Sequence, residues 1–330
     1  MTGFCRTRTI TMPVLMDLSN VSFPSSCEQI FGRGGPLVLE AGFGNGRFLA
    51  HMARKRPTWN FLGADISTGS TVRALRRMWR KGIENVRIFQ GPVGFVVRNV
   101  IPRGGLHHIY VNFPDPWPKK RHSGKRLLST DFFRLLSTRL RAGGTAHLTT
   151  DHTGYFAAAL KAARTDGLYE IIEAPVPPAT LATKYAQKWR ERDISIHHAR
   201  LTVRGMAEHT YPPDVERQSN MHHAHLQGEL PTDDAFESFV HRFRGGQIVF
   251  LDAMRGVGDN RLVFTARIQE GELTQDVLIE ARRARKGKDD VILQVMSFGR
   301  PLPTRGTGQA VRAAGEWLES RGMCILECWV

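Results

Sequence analysis

Along the first two thirds of the chain, short apolar runs alternate with stretches of helical period. Leu37-Val38-Leu39, opened by Pro36 and closed by Glu40, is too short for a helix and predicts a buried strand over 36–40. After Gly42, Gly44 and Gly46 the apolar positions Phe48, Leu49, Met52 and Ala53 fall on one face of a helix. A second strand is predicted over 60–66 and an apolar strand over 108–113. A helix over 130–140 stops before Gly143-Gly144, a strand spans 146–150, a helix spans 155–164, and an alternating stretch over 195–203 predicts a last, antiparallel strand. Strands alternating with helices in this order predict an α/β, doubly wound, Rossmann-like sheet.

Beyond residue 204 the pattern changes. A Pro- and His-rich segment, His209 to Asp214, precedes strand-like runs over 247–251, 261–268 and 291–295 and helix-like runs over 277–285 and 308–321. This predicts an appended α+β domain. The organisation expected is an irregular arm over 1–30, the doubly wound domain over 31–204 and a C-terminal extension over 205–330. Charge divides at the same place. Residues 1–204 hold 31 Lys and Arg against 13 Asp and Glu, net +18, and residues 205–330 hold 15 against 18, net −3. A basic domain attracts polyphosphate chains, so a polynucleotide partner is the economical reading. The clusters Arg54-Lys55-Arg56, Arg73 to Lys81 and Lys188 to Arg192 read singly as exposed helix faces.

Val14-Leu15-Met16 is too short for a membrane span or a signal-peptide core, which predicts a cytoplasmic protein. Cys5, Cys27, Cys324 and Cys328 form no paired framework, and the last two read as small hydrophobes on one strand face. His222, His223 and His225 lack Cys or acidic companions at ligand spacing and read as a polar loop rather than a metal site.

Candidate chemistry gathers at strand ends. In Asn112-Phe113-Pro114-Asp115-Pro116-Trp117-Pro118-Lys119-Lys120-Arg121-His122, three prolines hold Asp115 and Trp117 on a stiff loop before a cationic run. Such a loop offers a nucleobase a flat ring and an acceptor, and its phosphates positive charge. The glycine turn after Glu40 is spaced G-x-G-x-G, with an acid just before it. That variant suits the zwitterionic sulfonium S-adenosylmethionine better than a pyrophosphate, and Asp65, at the tip of the second strand, stands where a ribose-binding acid belongs.

Glu40 to Gly46, Phe113 to His122 with Lys125-Arg126-Leu127, His147 to Asp151 and Thr183-Lys184-Tyr185 together resemble the bacterial tRNA (guanine-N7-)-methyltransferases, from Leu37 to about Val203. The Phe-Pro-Asp-Pro-Trp-Pro-Lys-Lys-Arg-His run carries the specificity of that resemblance. It implies a class I methyltransferase sheet using S-adenosylmethionine to methylate a variable-loop guanine of tRNA. By the same resemblance Glu40, Asp65 and Asp115 contact the cofactor and Asp115 is the catalytic residue. Lys119, Asp151 and the Thr183–Lys184 region contact tRNA, and Lys120 and Arg121 continue that cationic run. Two departures stand out. Gln90-Gly91-Pro92 replaces the usual acid at the end of the third strand, putting Pro92 beside the cofactor, and Ala186 replaces a glutamate after Thr183.

For Trp117, stacking on the guanine and packing on the sheet edge both remain open. Two other functions stay in view: a non-catalytic RNA-binding protein on a methyltransferase fold, and a methyltransferase for another base.

Overall fold

A computed structural model of the protein describes residues 14–18, 21–116, 127–181, 195–232, 236–257, 261–284 and 290–330. It contains two compact units, the first built around Pro24–Pro212 and the second around Pro213–Val330.

In the first unit, helix α1 (Cys27–Phe31) precedes β1 (Leu37–Ala41), α2 (Arg47–Lys55), β2 (Asn60–Asp65), α3 (Thr68–Lys81) and β3 (Val86–Gln90). Helix α4 (Val93–Phe95) runs into a π-helical turn over Val96–Val100. Then come β4 (Leu106–Asn112), α5 (Thr130–Arg139), β5 (Leu140–Thr150), α6 (Thr153–Arg164), β6 (Tyr169–Glu173), α7 (Pro178–Leu181) and β7 (His197–Val203). The sheet order is β3-β2-β1-β4-β5-β7-β6, with β1 to β5 parallel and β7 antiparallel to both neighbours. Every position of β1 is buried, as expected for a parallel strand covered on both faces. The 108–113, 146–150 and 195–203 expectations appear as β4, β5 and β7.

Among the described residues before this sheet, one short helix and one bridge are formed. Ser26 and Gln29 form a capping box on α1, and Leu15 bridges to Ile88 beside β3. The capping box is local and the Leu15–Ile88 bridge joins positions far apart in the chain, so neither leaves a period in the sequence.

On one face of the sheet, β4, β5 and β7 carry an aromatic and histidine array. Trp59 stacks on His108 at 5.5 Å, Tyr110 on His147 at 4.5 Å and His147 on His198 at 5.6 Å. Thr145 Oγ1 lies between His108 Nδ1, at 2.7 Å, and His147 Nε2, at 3.0 Å. The side chain of Thr149 meets His198 Nδ1 at 2.9 Å.

The second unit is one antiparallel sheet in the order β14-β8-β13-β12-β11-β10-β9. Its strands are β8 (His223–Gln227), β9 (Phe239–Phe243), β10 (Gly246–Arg255), β11 (Arg261–Glu270), β12 (Leu273–Arg283), β13 (Asp290–Val295) and β14 (Cys324–Trp329). Helix α8 (Arg305–Glu319) covers one face, packing Ala310, Val311, Ala314 and Leu318 against Ile248, Phe264, Ile279 and Leu293. Thr304 and Thr307 cap it reciprocally, so it starts three residues before the expected 308.

Three local expectations are corrected here. From Val277 to Arg283 the expected helix is strand: Val277, Ile279 and Ala281 are buried against α8 while Leu278, Glu280 and Arg282 take the other face. Period 2 was hidden because charged residues follow without a break. His223 and His225 are strand rather than loop, alternating with core residues Ala224 and Leu226 and packing on Trp329. Cys324 and Cys328 share a strand but not a face. A register shift between Ile325 and Glu327 pairs Cys324 with Gln227 and Cys328 with core-facing Ala224.

Candidate active site

Parallel register brings the ends of β1 to β5 to one edge, and the strand order reverses between β1 and β4. In open α/β sheets the crevice at such a reversal is where ligands bind. Glu40, next to last in β1, sits there and is 2 % exposed. Its Oε1 accepts from Asn112 Nδ2 at 3.3 Å, while Oε2 is buried with no hydrogen-bond partner. Burial pushes the Glu40 carboxyl well above the usual range, the Asn112 bond pulls it back, and nearby Asp65 raises it further. Asn112 in turn accepts, at 3.5 Å, from the hydroxyl of fully buried Thr180 on α7.

The glycine turn has left-handed backbone at Gly42 (φ 72°), Gly44 (φ 54°) and Gly46 (φ 69°). A Cβ at Gly42 or Gly44 would meet nothing within 4 Å, so these glycines leave clear space over the backbone. Gly46 has a packing role of its own. A Cβ there would lie 2.9 Å from that of Ala74, so the glycine lets α2 sit close on α3. Asp65 clamps the turn: Oδ2 accepts from the Gly44 amide and Oδ1 from the Ser67 amide, both at 2.9 Å. Each oxygen keeps a lone pair free for a hydroxyl. Ile66, the next residue, is 75 % exposed, an apolar surface beside the acid.

At the end of β3 the Gln90 side chain donates to Thr68 Oγ1 at 2.8 Å, the Gly91 amide donates to the Asp65 carbonyl, and Pro92 is the N-cap of α4. An uncharged side chain tied to α3 thus stands at the end of β3. After β4, Phe113 has φ 53°, a left-handed conformation rare for a bulky residue, and its amide donates to the Thr149 carbonyl. Backbone strain of this kind costs on the order of 1–3 kcal/mol and gathers at functional sites. Here it turns the chain so that Asp115 follows on an exposed loop. Asp151, half-buried, follows β5, whose last residues Thr149 and Thr150 are fully buried. Trp117, Lys119, Lys120, Arg121, Thr183 and Lys184 lie outside the described residues.

Residues 34–199 match the family model described as "Putative methyltransferase". The tRNA (guanine-N(7)-)-methyltransferase of Thermus thermophilus is 46 % identical over 305 residues, covering 92 % of this chain and 96 % of that protein. The enzyme of the same name from Deinococcus radiodurans is 39 % identical, covering 88 % and 91 %, and that from Thermotoga maritima 32 % identical, covering 63 % and 66 %. This chain belongs to the tRNA (guanine-N(7)-)-methyltransferase family. The first two of these relatives align through the second unit as well as the first.

The crevice fits the S-adenosylmethionine that this methyltransferase family uses. Space over Gly42 and Gly44 admits a ligand chain, Asp65 has acceptors for two hydroxyls, Ile66 offers a base an apolar face, and Glu40 holds an unpaired oxygen for a cationic or hydroxyl donor. Asn112, Thr180 and Ile66 were not singled out from sequence. Asn112 was legible only as the start of the proline loop, and Thr180 carried no signal, because its partner lies 68 residues away.

Proposed function

We infer that the protein transfers the methyl group of S-adenosylmethionine to N7 of a variable-loop guanine in tRNA. The observation that carries this reading is the 46 % identity to the Thermus enzyme across 92 % of the chain, supported by the open glycine turn that Asp65 holds at the strand ends.

When bound, S-adenosylmethionine would supply an electrophilic methyl on sulfur, which guanine N7 would take on its in-plane lone pair as sulfur leaves with the S–CH3 bonding electrons and the positive charge passes to the base. No proton need move at N7, so the protein's work is placement. Asp65 orients the ribose from a position fixed by the Gly44 and Ser67 amides. Glu40, aligned by Asn112, receives the amino end of the ligand, whose charge offsets the cost of ionising a buried carboxyl. Asp115 stands on its exposed loop as the orienter of guanine, its carboxylate accepting from N1–H and the exocyclic amine and favouring the cation formed. Lys119, Lys120, Arg121, Asp151, Thr183 and Lys184 serve as the tRNA contacts that the family resemblance implies. Gln90 and Pro92 border the cofactor's base without a charge. A tRNA substrate supports a cytoplasmic location.

The test is incubation with an unmodified tRNA transcript and methyl-labelled cofactor, followed by borohydride and aniline cleavage. Label with cleavage at the variable-loop guanine is expected. Label without cleavage would move the target to another atom, and binding without label would favour the RNA-binding alternative.

A further inference from the structure

Helices α2 and α3 contain no acidic residue. On α3, Arg73, Arg76, Arg77, Arg80 and Lys81 lie at spacings of three and four, so Arg73–Arg76, Arg73–Arg77, Arg76–Arg80, Arg77–Arg80 and Arg77–Lys81 all face one another as like charges. Neighbouring Arg47 and Arg80 hold the Arg77 guanidinium below its ordinary range, after burial, which is the larger cause. Cations in the last turn suit the helix dipole, which explains Arg80 and Lys81, but Arg73 and Arg76 lie a turn or more before it. A solvated face selected for stability alone would carry acids among these cations.

A second feature lies beside that stripe. Trp79 is 69 % exposed and Val72 is 40 % exposed, two turns apart on the same side of the helix. The outer face of α3 therefore presents an indole and a smaller apolar residue alongside Arg73, Arg76 and Arg80. A flat ring next to guanidinium groups matches a nucleotide, which brings a π-face and a phosphate together, and it matches neither an apolar protein surface nor a purely ionic one.

We propose that this face is a second RNA-contact surface, separate from the crevice at the strand ends, on which Arg73, Arg76 and Arg80 engage tRNA phosphates and Trp79 stacks on an unpaired base. The assignment rests on the tRNA reading above. Arg76, Trp79 and Arg80 carry this surface toward the end of α3 remote from Asp65, while the Arg73 guanidinium turns back to Ser70 Oγ at 3.2 Å, so the RNA footprint runs along the helix beyond the crevice.

The experiment measures equilibrium tRNA binding by the full-length protein over a salt series, for wild type, W79A, W79F, a double R76Q/R80Q variant and, as a charge control on α8, R312Q. Cofactor affinity is measured in parallel, so that a damaged fold is recognised. Loss of one stacked base predicts roughly 5- to 150-fold weaker binding for W79A, with W79F retaining most of the wild-type affinity. Each arginine lost from a phosphate contact should lower the slope of log K against log salt by about 0.7–0.9, and R312Q should leave it unchanged. Unchanged tRNA affinity and slope in W79A and R76Q/R80Q, with cofactor binding intact, would overturn the proposal. So would an equal loss in W79A and W79F, because the ring face would then not be what matters. Failure of the wild type to methylate tRNA would instead count against the enzymatic reading, since RNA binding is read separately.

Discussion

Lowering the pH from 7 to 5 tests the histidine array of the first unit directly. Burial pulls His108 and His198 down to about 4 and His147 to about 3, with His107 and Arg141 adding at His108, Arg200 at His198, and His198, His108 and Arg200 at His147. The hydrogen bonds give the reason. His147 Nδ1 is buried without a partner, so the ring is best neutral with Nε2–H donating to Thr145 Oγ1, whose own hydroxyl then donates to His108 Nδ1. A second proton on His147 would face nothing.

Because these folded-state values lie below the ordinary 6.5, the unfolded chain binds more protons through this window, and stability falls as pH drops from 6.5 towards 4. His147 loses roughly 2 kcal/mol between pH 7 and 5, and His108 and His198, reached more by solvent, lose less. Glu40, held above its ordinary value, opposes this by stabilising the fold as pH falls. The decisive quantity is therefore a difference. Urea unfolding followed by circular dichroism should show His147→Phe, which keeps a ring against Tyr110, losing roughly 2 kcal/mol less than wild type between pH 7 and 5. Equal losses in the two proteins would refute the neutral-array argument.

Cofactor binding should favour the ionised Glu40 carboxyl, because that form receives a cation; calorimetry over a pH series in buffers of different ionisation enthalpy should read the proton released, and Glu40→Gln should abolish it. Asn112→Ala removes the bond that pulls the Glu40 carboxyl down, so cofactor affinity should fall and recover as pH rises. Gly44→Ala and Gly46→Ala should separate. The first costs about 1 kcal/mol of backbone strain and weakens cofactor binding in isothermal titration. The second also drives a Cβ into Ala74 and should lower the melting temperature further. Asp115→Asn should lose turnover in the labelled-methyl assay, and full turnover would remove Asp115 from the mechanism.

From its sequence alone this protein could be read as a doubly wound domain with a glycine turn, an acid on each of two strand tips and a proline-held aspartate, because runs, periods and turn residues are local. The charge break near residue 204 was equally plain, since it is only composition. Period 2 at Val277, Ile279 and Ala281 was masked by charges, and the bulge that splits Cys324 from Cys328 leaves no mark in sequence. What tertiary structure decided was pairing across distance. It set Asn112 and Thr180 behind Glu40, gave both Asp65 oxygens to backbone amides and interlocked His108, Thr145 and His147. Partners brought together by strand register, far apart in the chain, set the burial and hydrogen bonding that decide which of these groups carries a charge.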